Sequence, residues 1–350
     1  MNLNEKIKKA EEVIKGKKIA IAFSGGADST LIGYLGKKVA SDVLAITFNN
    51  EIMPTNFINN SKKIADLIGI KQKIISKNFL ENDKFTENND KRCFICRKIM
   101  YSEIKDLGKK EGFETIVDGT NISDLLEDRP GILVNYENNI LSPLVEAGIT
   151  KEEVEEYLAM NNIEYSKSTT CLGTRISKNE KITAKKINRT KYAEDLIKKI
   201  TKSEAIRVRN IGDIGQIEVD NIEPLLNKST LRLIESELKA INFKKVTLDI
   251  GNNNSKQKEL AIYKPCKDED NKIMFENELP YEINIPKTCE NLKKLGKVKC
   301  STKMGITMLE LEDKNITIFK NGKIIARKVE NKEDAQDILI KVLPLIRRKF

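Results

Sequence analysis

The chain has 350 residues, 39% hydrophobic and 33% charged, enough for two or three domains with sizeable cores. No apolar run reaches the ~18 residues of a membrane helix, and the N-terminal MNLNEKIKKAEEVIKG lacks the apolar stretch of a signal peptide. A cytoplasmic protein without a membrane partner is therefore expected. Histidine is absent, which excludes imidazole base chemistry and His-ligated metals, and the net charge of +10 fits either a solvated lysine-rich surface or attraction to phosphates of ATP, a nucleotide substrate or RNA.

Residues 5–15 place Ile7, Ala10, Val13 and Ile14 on one face before Gly16, the pattern of an amphipathic helix with a glycine stop. Lys18 to Phe23 is a short apolar run and reads as a buried strand. Ser24-Gly25-Gly26-Ala27-Asp28-Ser29 follows at once, and helical spacing resumes from Thr30 through Ala40. A strand, a glycine turn and a helix start make an anion site, because free N–H groups and the positive helix end converge there. The two glycines let backbone approach a phosphate, and Ser24 and Ser29 add hydroxyls. Asp28 would repel a bare phosphate and so implies a Mg²⁺ bridge. The string has neither the lysine of a Walker A loop nor the GxGxxG of a dinucleotide fold.

Asp42 to Phe48 and Lys71 to Ile75 read as further strands, with a helix from Pro54 to about Leu67 between them. Residues 77–91 are polar and read as a mobile loop. A helix is expected from about Lys91 to Gly112, then a strand at Thr115–Val117 ending in Asp118-Gly119-Thr120-Asn121, then an irregular acidic segment from Ile122 to Gly131. Strands alternating with helices predict an α/β fold with a doubly wound parallel sheet, whose ligands bind at the carboxyl ends of the strands. Thr150-Lys151-Glu152-Glu153 is a capping box that opens a helix. The first domain is expected to span 1–174.

A basic helix from Thr183 to Lys199, strands at Ala205–Arg209 and Ile214–Val219, a helix at Leu231–Ile241 and a strand at Lys245–Ile250 suggest a small α+β domain over 175–257. Gly251 to Lys256 reads as a linker. Strands at Thr307–Glu312, Ile316–Phe319 and Lys323–Lys328, the hairpin signal Asn321-Gly322 and a helix at Asp334–Arg347 suggest a third small module over 258–350.

Six cysteines stand out in a chain expected to be cytosolic, where metal binding or catalysis outweighs disulfides. Cys93-x-x-Cys96 sets two thiols on one face of a helix start; buried core cysteines are the plain alternative. Arg92, Arg97 and Lys98 favour thiolates. Cys171, in a turn late in the first domain, could join them at the same rim, for an iron–sulfur cluster or for zinc with a further ligand. Cys266, Cys289 and Cys300 have no compact spacing and read as ordinary cysteines or a second cluster.

The loop resembles the PP-loop of ATP pyrophosphatases. The ordered set Ser24–Ser29, Arg92-Cys93-x-x-Cys96, Asp118–Asn121, Asp128-Arg129-Pro130-Gly131, Ser142-Pro143-Leu144-x-Glu146-Ala147-Gly148, Cys171 to Arg175 and Arg207-x-Arg209 resembles the LarE family over roughly residues 1–255. LarE proteins are ATP-dependent sulfur transferases of nickel-pincer cofactor synthesis. The resemblance implies adenylation of a carboxylate of pyridinium-3,5-biscarboxylic acid mononucleotide and its conversion to a thiocarboxylate. It assigns ATP and Mg²⁺ to Ser24, Gly25, Gly26, Asp28 and Ser29, and adenosine to Phe48 and Gly119. Arg97, Glu194, Arg207 and Arg209 fall to the substrate, the last three around its phosphate. Arginine pairs bind phosphate through charge-assisted forks, and Ile206 and Val208 would leave both strand arginines on one face. Members with one sacrificial cysteine carry it where this chain has Thr170 or Cys171. The pair Cys93 and Cys96 marks a three-cysteine branch, in which these two and Cys171 would hold a [4Fe–4S] cluster. Asn252 to Gln257 and the chain beyond 258 depart from the family pattern. Other readings are a tRNA-thiolating PP-loop enzyme, with nucleic acid as partner, and a non-enzymatic ATP or redox sensor. A homo-oligomer is expected.

Overall fold

The computed structural model describes residues 2–127, 129–167, 169–203, 206–251, 261–263 and 273–349. Asp128, Ala205, the Asn252–Lys256 linker with the Asn252–Gln257 departure, and Cys266 lie outside the described residues. The first part of the chain runs α1 (Leu3–Ile14), β1 (Lys18–Ala22), α2 (Ala27–Val39), β2 (Asp42–Asn49), α3 (Phe57–Ile68), β3 (Lys71–Ser76), α4 (Asp83–Thr86), α5 (Arg92–Lys110) and β4 (Thr115–Val117). Four short helices follow: α6 (Ile122–Leu126), α7 (Leu133–Asn138), α8 (Pro143–Glu146) and α9 (Lys151–Met160).

The four strands form one parallel sheet in the order β3-β2-β1-β4. The expected α/β sheet is therefore present. The inner strands β1 and β2 read as apolar runs because both faces are covered, while the edge strand β3 alternates. Ile19 and Ile21 face one core with Leu31 and Leu35 of α2, while Ala20, Leu44 and Ile46 face another with Tyr101 and Ile104 of α5. A buried isoleucine or leucine contributes about 1.5–3 kcal/mol. Chain order reverses between β1 and β4, so the rim at their carboxyl ends is the switch point where such sheets bind ligands.

Two loops differ from expectation. Residues 77–91 are packed: Phe79 and Phe85 are fully buried, stacked edge to face at 5.7 Å. Buried Asn88 donates to the carbonyls of Ser177 at 2.8 Å and Glu180 at 3.0 Å. Two aromatics outweigh the polar residues around them. The segment after Asn121 is helical as α6, because Asn121 and Asp124 form a reciprocal capping box. The helix expected from Pro54 starts at Phe57, after Asn56 in the left-handed region at φ 66°. The capping box at Thr150 is present.

Next come α10 (Ala184–Thr201), β5 (Ile206–Ile211), β6 (Ile214–Val219), α11 (Lys228–Ala240) and β7 (Lys245–Leu248). They build a three-stranded sheet, β5-β6-β7, around Val208, Ile217, Leu238 and Phe243. The last part holds β8 (Ala261–Tyr263), β9 (Ile273–Glu278), α12 (Ile285–Leu292), β10 (Lys297–Ser301), β11 (Ile306–Leu311), β12 (Lys314–Phe319), β13 (Lys323–Val329) and α13 (Lys332–Val342). Its sheet order is β10-β11-β12-β13-β9-β8, and Asn321-Gly322 turns β12 into β13 with Gly322 at φ +98°. Cys289 and Cys300 are joined by a disulfide, with Cα atoms 6.3 Å apart. That corrects the reading of these two as ordinary cysteines or members of a second cluster: α12 packs against β10 and brings them together. Among the described residues no helix is long and apolar enough to cross a membrane.

Candidate active site

The loop after β1 is shaped by its own hydroxyls. The Gly26 N–H donates to Ser24 Oγ at 3.2 Å, Ser29 Oγ donates to the Gly26 carbonyl at 3.2 Å, and the two serine oxygens lie 3.1 Å apart. Gly25 sits at φ +74°, where a Cβ would also meet Ser61 Cα at 3.0 Å. The helix starts at Ala27, so Asp28 and Ser29 lie in its first turn, and its N–H groups face the rim. Gly119, at the end of β4, packs on that turn: a Cβ there would stand 2.8 Å from Asp28 and 2.9 Å from the Ser29 nitrogen. Only glycine lets the two loops close.

Asp28 accepts from Asn121 Nδ2 at 2.8 Å. Burial, and then the charge of Asp124, push its carboxyl up to about 6. Burial likewise raises Asp124, against its 2.8 Å ion pair with Arg129. Two carboxylates that repel each other in a poorly solvated rim are a donor set suited to a hard divalent cation.

Asp118 is the hub behind this rim. It is buried and accepts from Tyr101 Oη at 2.8 Å, Thr120 Oγ1 at 2.6 Å, Asn135 Nδ2 at 2.8 Å and Ser142 Oγ at 2.8 Å. Arg97 pairs with the same carboxylate. Desolvation opposes its charge, but the Arg97 guanidinium and these donors hold its pKa below the usual value. Arg97, expected at the substrate, is thus committed to Asp118 and Thr120, although it lines the cavity.

That cavity, about 390 Å³, joins the predicted halves. Ser24, Asp28, Ser29, Phe48 and Gly119 line one part of it. Cys93, Cys96 and Cys171 line another, with Arg92 and Arg97. Cys171 is carried there by a tightly held turn. Arg92, from α5, donates to the Gly173 carbonyl at 3.0 Å and to Asn88, and lies 3.5 Å from Cys93 Sγ. Arg175 donates to Thr170 Oγ1 at 2.6 Å and to Glu194 Oε1 at 2.6 Å. Arg209 donates to the Thr174 carbonyl at 3.0 Å.

The thiols do not behave as the neighbouring cations suggest. Burial pushes Cys96 and Cys171 up, and a charged thiolate on a neighbouring cysteine pushes each further; Arg92 offsets only part of this. For Cys96 and Cys171 the expected thiolate bias is corrected: desolvation outweighs the cations there. A bound metal cluster would relieve that repulsion, and three thiols are the right donors for it. Among the described residues no three such side chains are yet drawn together to hold a metal ion.

Three expected substrate residues lie outside the cavity lining. Arg207 and Arg209 share the outer face of β5, with Ile206 and Val208 buried behind them, as the alternation predicts. Arg209 is paired with Glu218 at 2.7 Å. Glu194 is buried, held by Arg175 and by the Val208 N–H at 3.1 Å. It positions the Cys171 turn against β5. Residues missed from the sequence are Asn121, Asp124 and Arg129 as rim groups and Tyr101 and Asn135 as supports. The N-x-x-D spacing of Asn121 and Asp124 was the available signal.

The glycine loop between β1 and α2, facing a cavity at the switch point of a parallel sheet, defines an α/β enzyme of the PP-loop class. A family model described as "Thiamine biosynthesis protein (ThiI)" matches residues 14–198, and the chain belongs to that family. An uncharacterised protein of Methanocaldococcus jannaschii is 31% identical over 241 residues, 69% of this chain and 92% of that one. An uncharacterised Synechocystis protein is 30% identical over 239 residues, 66% and 87% of the two chains. The pyridinium-3,5-bisthiocarboxylic acid mononucleotide synthase of Lactiplantibacillus plantarum is 26% identical over 245 residues, 67% and 86%. The LarE resemblance read from the motifs holds at this level.

Proposed function

We propose that this ATP-dependent sulfurtransferase activates a carboxylate of pyridinium-3,5-biscarboxylic acid mononucleotide and replaces its activated oxygen with sulfur. The observation that carries the reading is one cavity lined by both the phosphate loop and three thiols. The Lactiplantibacillus plantarum relative, by its name a synthase of pyridinium-3,5-bisthiocarboxylic acid mononucleotide, supports the thiocarboxylate product. Residues 1–174 would form the activating domain, 175–257 a substrate and oligomerisation domain, and the remainder an added module.

The first step is an exchange at phosphorus. A carboxylate oxygen attacks the α-phosphate, the bond to the β-phosphate breaks, and pyrophosphate leaves, giving an acyl-adenylate. Ser24 to Ser29 and the start of α2 would bind the leaving pyrophosphate, with backbone donors already aimed where charge develops. Asp28, with Asp124 beside it, would hold Mg²⁺, which supplies charge neutralisation for the phosphates. Phe48 and Gly119 would flank the adenosine. In the second step a sulfide, required as co-substrate, forms a bond to the acyl carbon, the acyl carbon–oxygen bond to AMP breaks, and AMP leaves. Cys93, Cys96 and Cys171 would hold a [4Fe–4S] cluster, whose chemistry is to carry sulfur deprotonated at neutral pH. Arg97, Glu194, Arg207 and Arg209 are the remaining substrate candidates, Arg207 and Arg209 by direct contact with its phosphate and Glu194 through the turn.

The test is pyrophosphate release from ATP by anaerobically prepared protein, with mass analysis of the product. Release that depends on the dicarboxylate nucleotide, with an oxygen-to-sulfur product, is expected. Release elicited by tRNA instead would turn the reading to tRNA thiolation; no release with either would end it. Iron content and the visible spectrum of the same protein decide the cluster.

A further inference from the structure

The C-terminal module shares a core with the catalytic part. Ile122, Leu125 and Ile132 lie in one buried cluster with Leu339, Leu343 and Ile346. The contact is also polar. Tyr281 Oη donates to the Leu125 carbonyl at 3.1 Å, and the Arg347 guanidinium stacks 3.6 Å above the Tyr136 ring.

What the module grips is α6. One side of this five-residue helix, Ile122 and Leu125, enters the shared core. The other end reaches the phosphate rim. Its cap Asn121 donates to Asp28, and Asp124, bonded back to the Asn121 N–H at 3.1 Å, adds its charge to Asp28. A helix this short does not hold itself together in water, so its position is set by what packs on it. The family match ends at residue 198, well before the module.

We propose that the C-terminal module is a positioning element of the ATP site: Tyr281, through the Leu125 carbonyl, sets Asp124 beside Asp28 and thereby the affinity for the divalent cation. The inference rests on the reading of these two carboxylates as the cation's ligands. One part-buried hydrogen bond changes an equilibrium roughly two- to tenfold.

The test uses the full chain with a non-hydrolysable ATP analogue and Mn²⁺, free Mn²⁺ being read by electron paramagnetic resonance. Tyr281→Phe is expected to weaken Mn²⁺ binding roughly two- to tenfold while its melting temperature stays within about 2 °C of wild type. Tyr281→Leu, which also loses the ring, weakens it at least as much. A merely structural role would lower the melting temperature and leave Mn²⁺ affinity alone. Unchanged affinity in both variants overturns the proposal. Asp124→Asn separates the two levels: if it binds Mn²⁺ as wild type does, the cation reading itself fails, and the proposal falls with it.

Discussion

The two halves of the cavity are built on opposite principles. On the phosphate side, the central carboxylate is satisfied within the protein by converging donors. Asp118 alone collects Tyr101, Thr120, Asn135, Ser142 and Arg97, and the serines of the loop bond each other. On the sulfur side, the Cys171 turn is held by three arginines, two on its carbonyls and one on the Thr170 hydroxyl, but Cys96 and Cys171 are left half-buried and resistant to ionisation. The first half is preorganised for a charge that develops during reaction. The second is a rigid frame around donors that pay their desolvation only once something binds them. Activation and transfer should therefore fail separately.

The largest separation is expected from Cys171→Ser. Thiocarboxylate formation should drop by at least roughly 10², because losing one of three protein ligands costs a cluster more than an outer-shell change does, while pyrophosphate release in a single turnover stays within a few-fold of wild type. Mass analysis of product beside a pyrophosphate assay reads both. An equal loss of both activities would dissolve the comparison.

Asp118→Ala attacks the other half. It leaves the Arg97 guanidinium half-buried without its carboxylate, a cost of about 3–5 kcal/mol. For 350 residues melting as one unit that lowers the melting temperature by about 4–7 °C, measurable by calorimetry. Asp28→Asn is gentler to the fold and acts on the ligand. Mg²⁺-dependent pyrophosphate release should fall by at least roughly 10², with the thiols still able to take up iron on reconstitution. If iron uptake falls with it, the halves are coupled.

The same contrast explains what could be read from the sequence. The phosphate loop was legible because strand, turn and helix are contiguous, and Ser24 to Ser29 carry their own geometry. So was the parallel sheet, since three of its strands are apolar runs and Lys71 to Ile75 alternates, each set between helices. Asp118 was legible as a rim residue but not as a hub, because all its partners but Thr120 stand 17 to 24 positions away. The packing of residues 77–91 was hidden by a polar composition, since two phenylalanines decide it. The meeting of Cys171 with Cys93 and Cys96 was legible as one open reading of a turn late in the same domain, and was given as a ligand set only by the family resemblance; spacing says nothing about a turn some 75 residues on. The Cys289–Cys300 disulfide depends on α12, a helix the sequence reading did not include. The thiol charge state was misjudged because neighbouring cations are visible in a sequence and desolvation is not.

The smallest effect concerns pH, and it sets the two halves at opposite ends of the scale. Asp118 is held below its ordinary 3.8 in the folded state, so its contribution to stability is present above that value and is lost as pH falls through the folded one. Cys96 and Cys171 are raised above 9.0, so theirs is present below 9.0 and is lost as pH rises further, because the unfolded chain releases those protons first. Each unit of separation is worth about 1.4 kcal/mol at full effect. Asp28, raised to about 6, has the opposite sign to Asp118 in acid. The acid limb is therefore read as the difference between wild type and Asp118→Asn, in which Asp28 cancels. Denaturant unfolding of protein freed of iron should show that difference shrinking below pH 3.8. The double variant Cys96→Ser, Cys171→Ser should flatten the decline above pH 9.0. Adding iron and sulfide before the titration should flatten it too, because ligated thiols no longer exchange protons in the folded state. An alkaline limb untouched by either change would mean that the thiols are hydrated, and that the sulfur half is as well prepared for charge as the phosphate half.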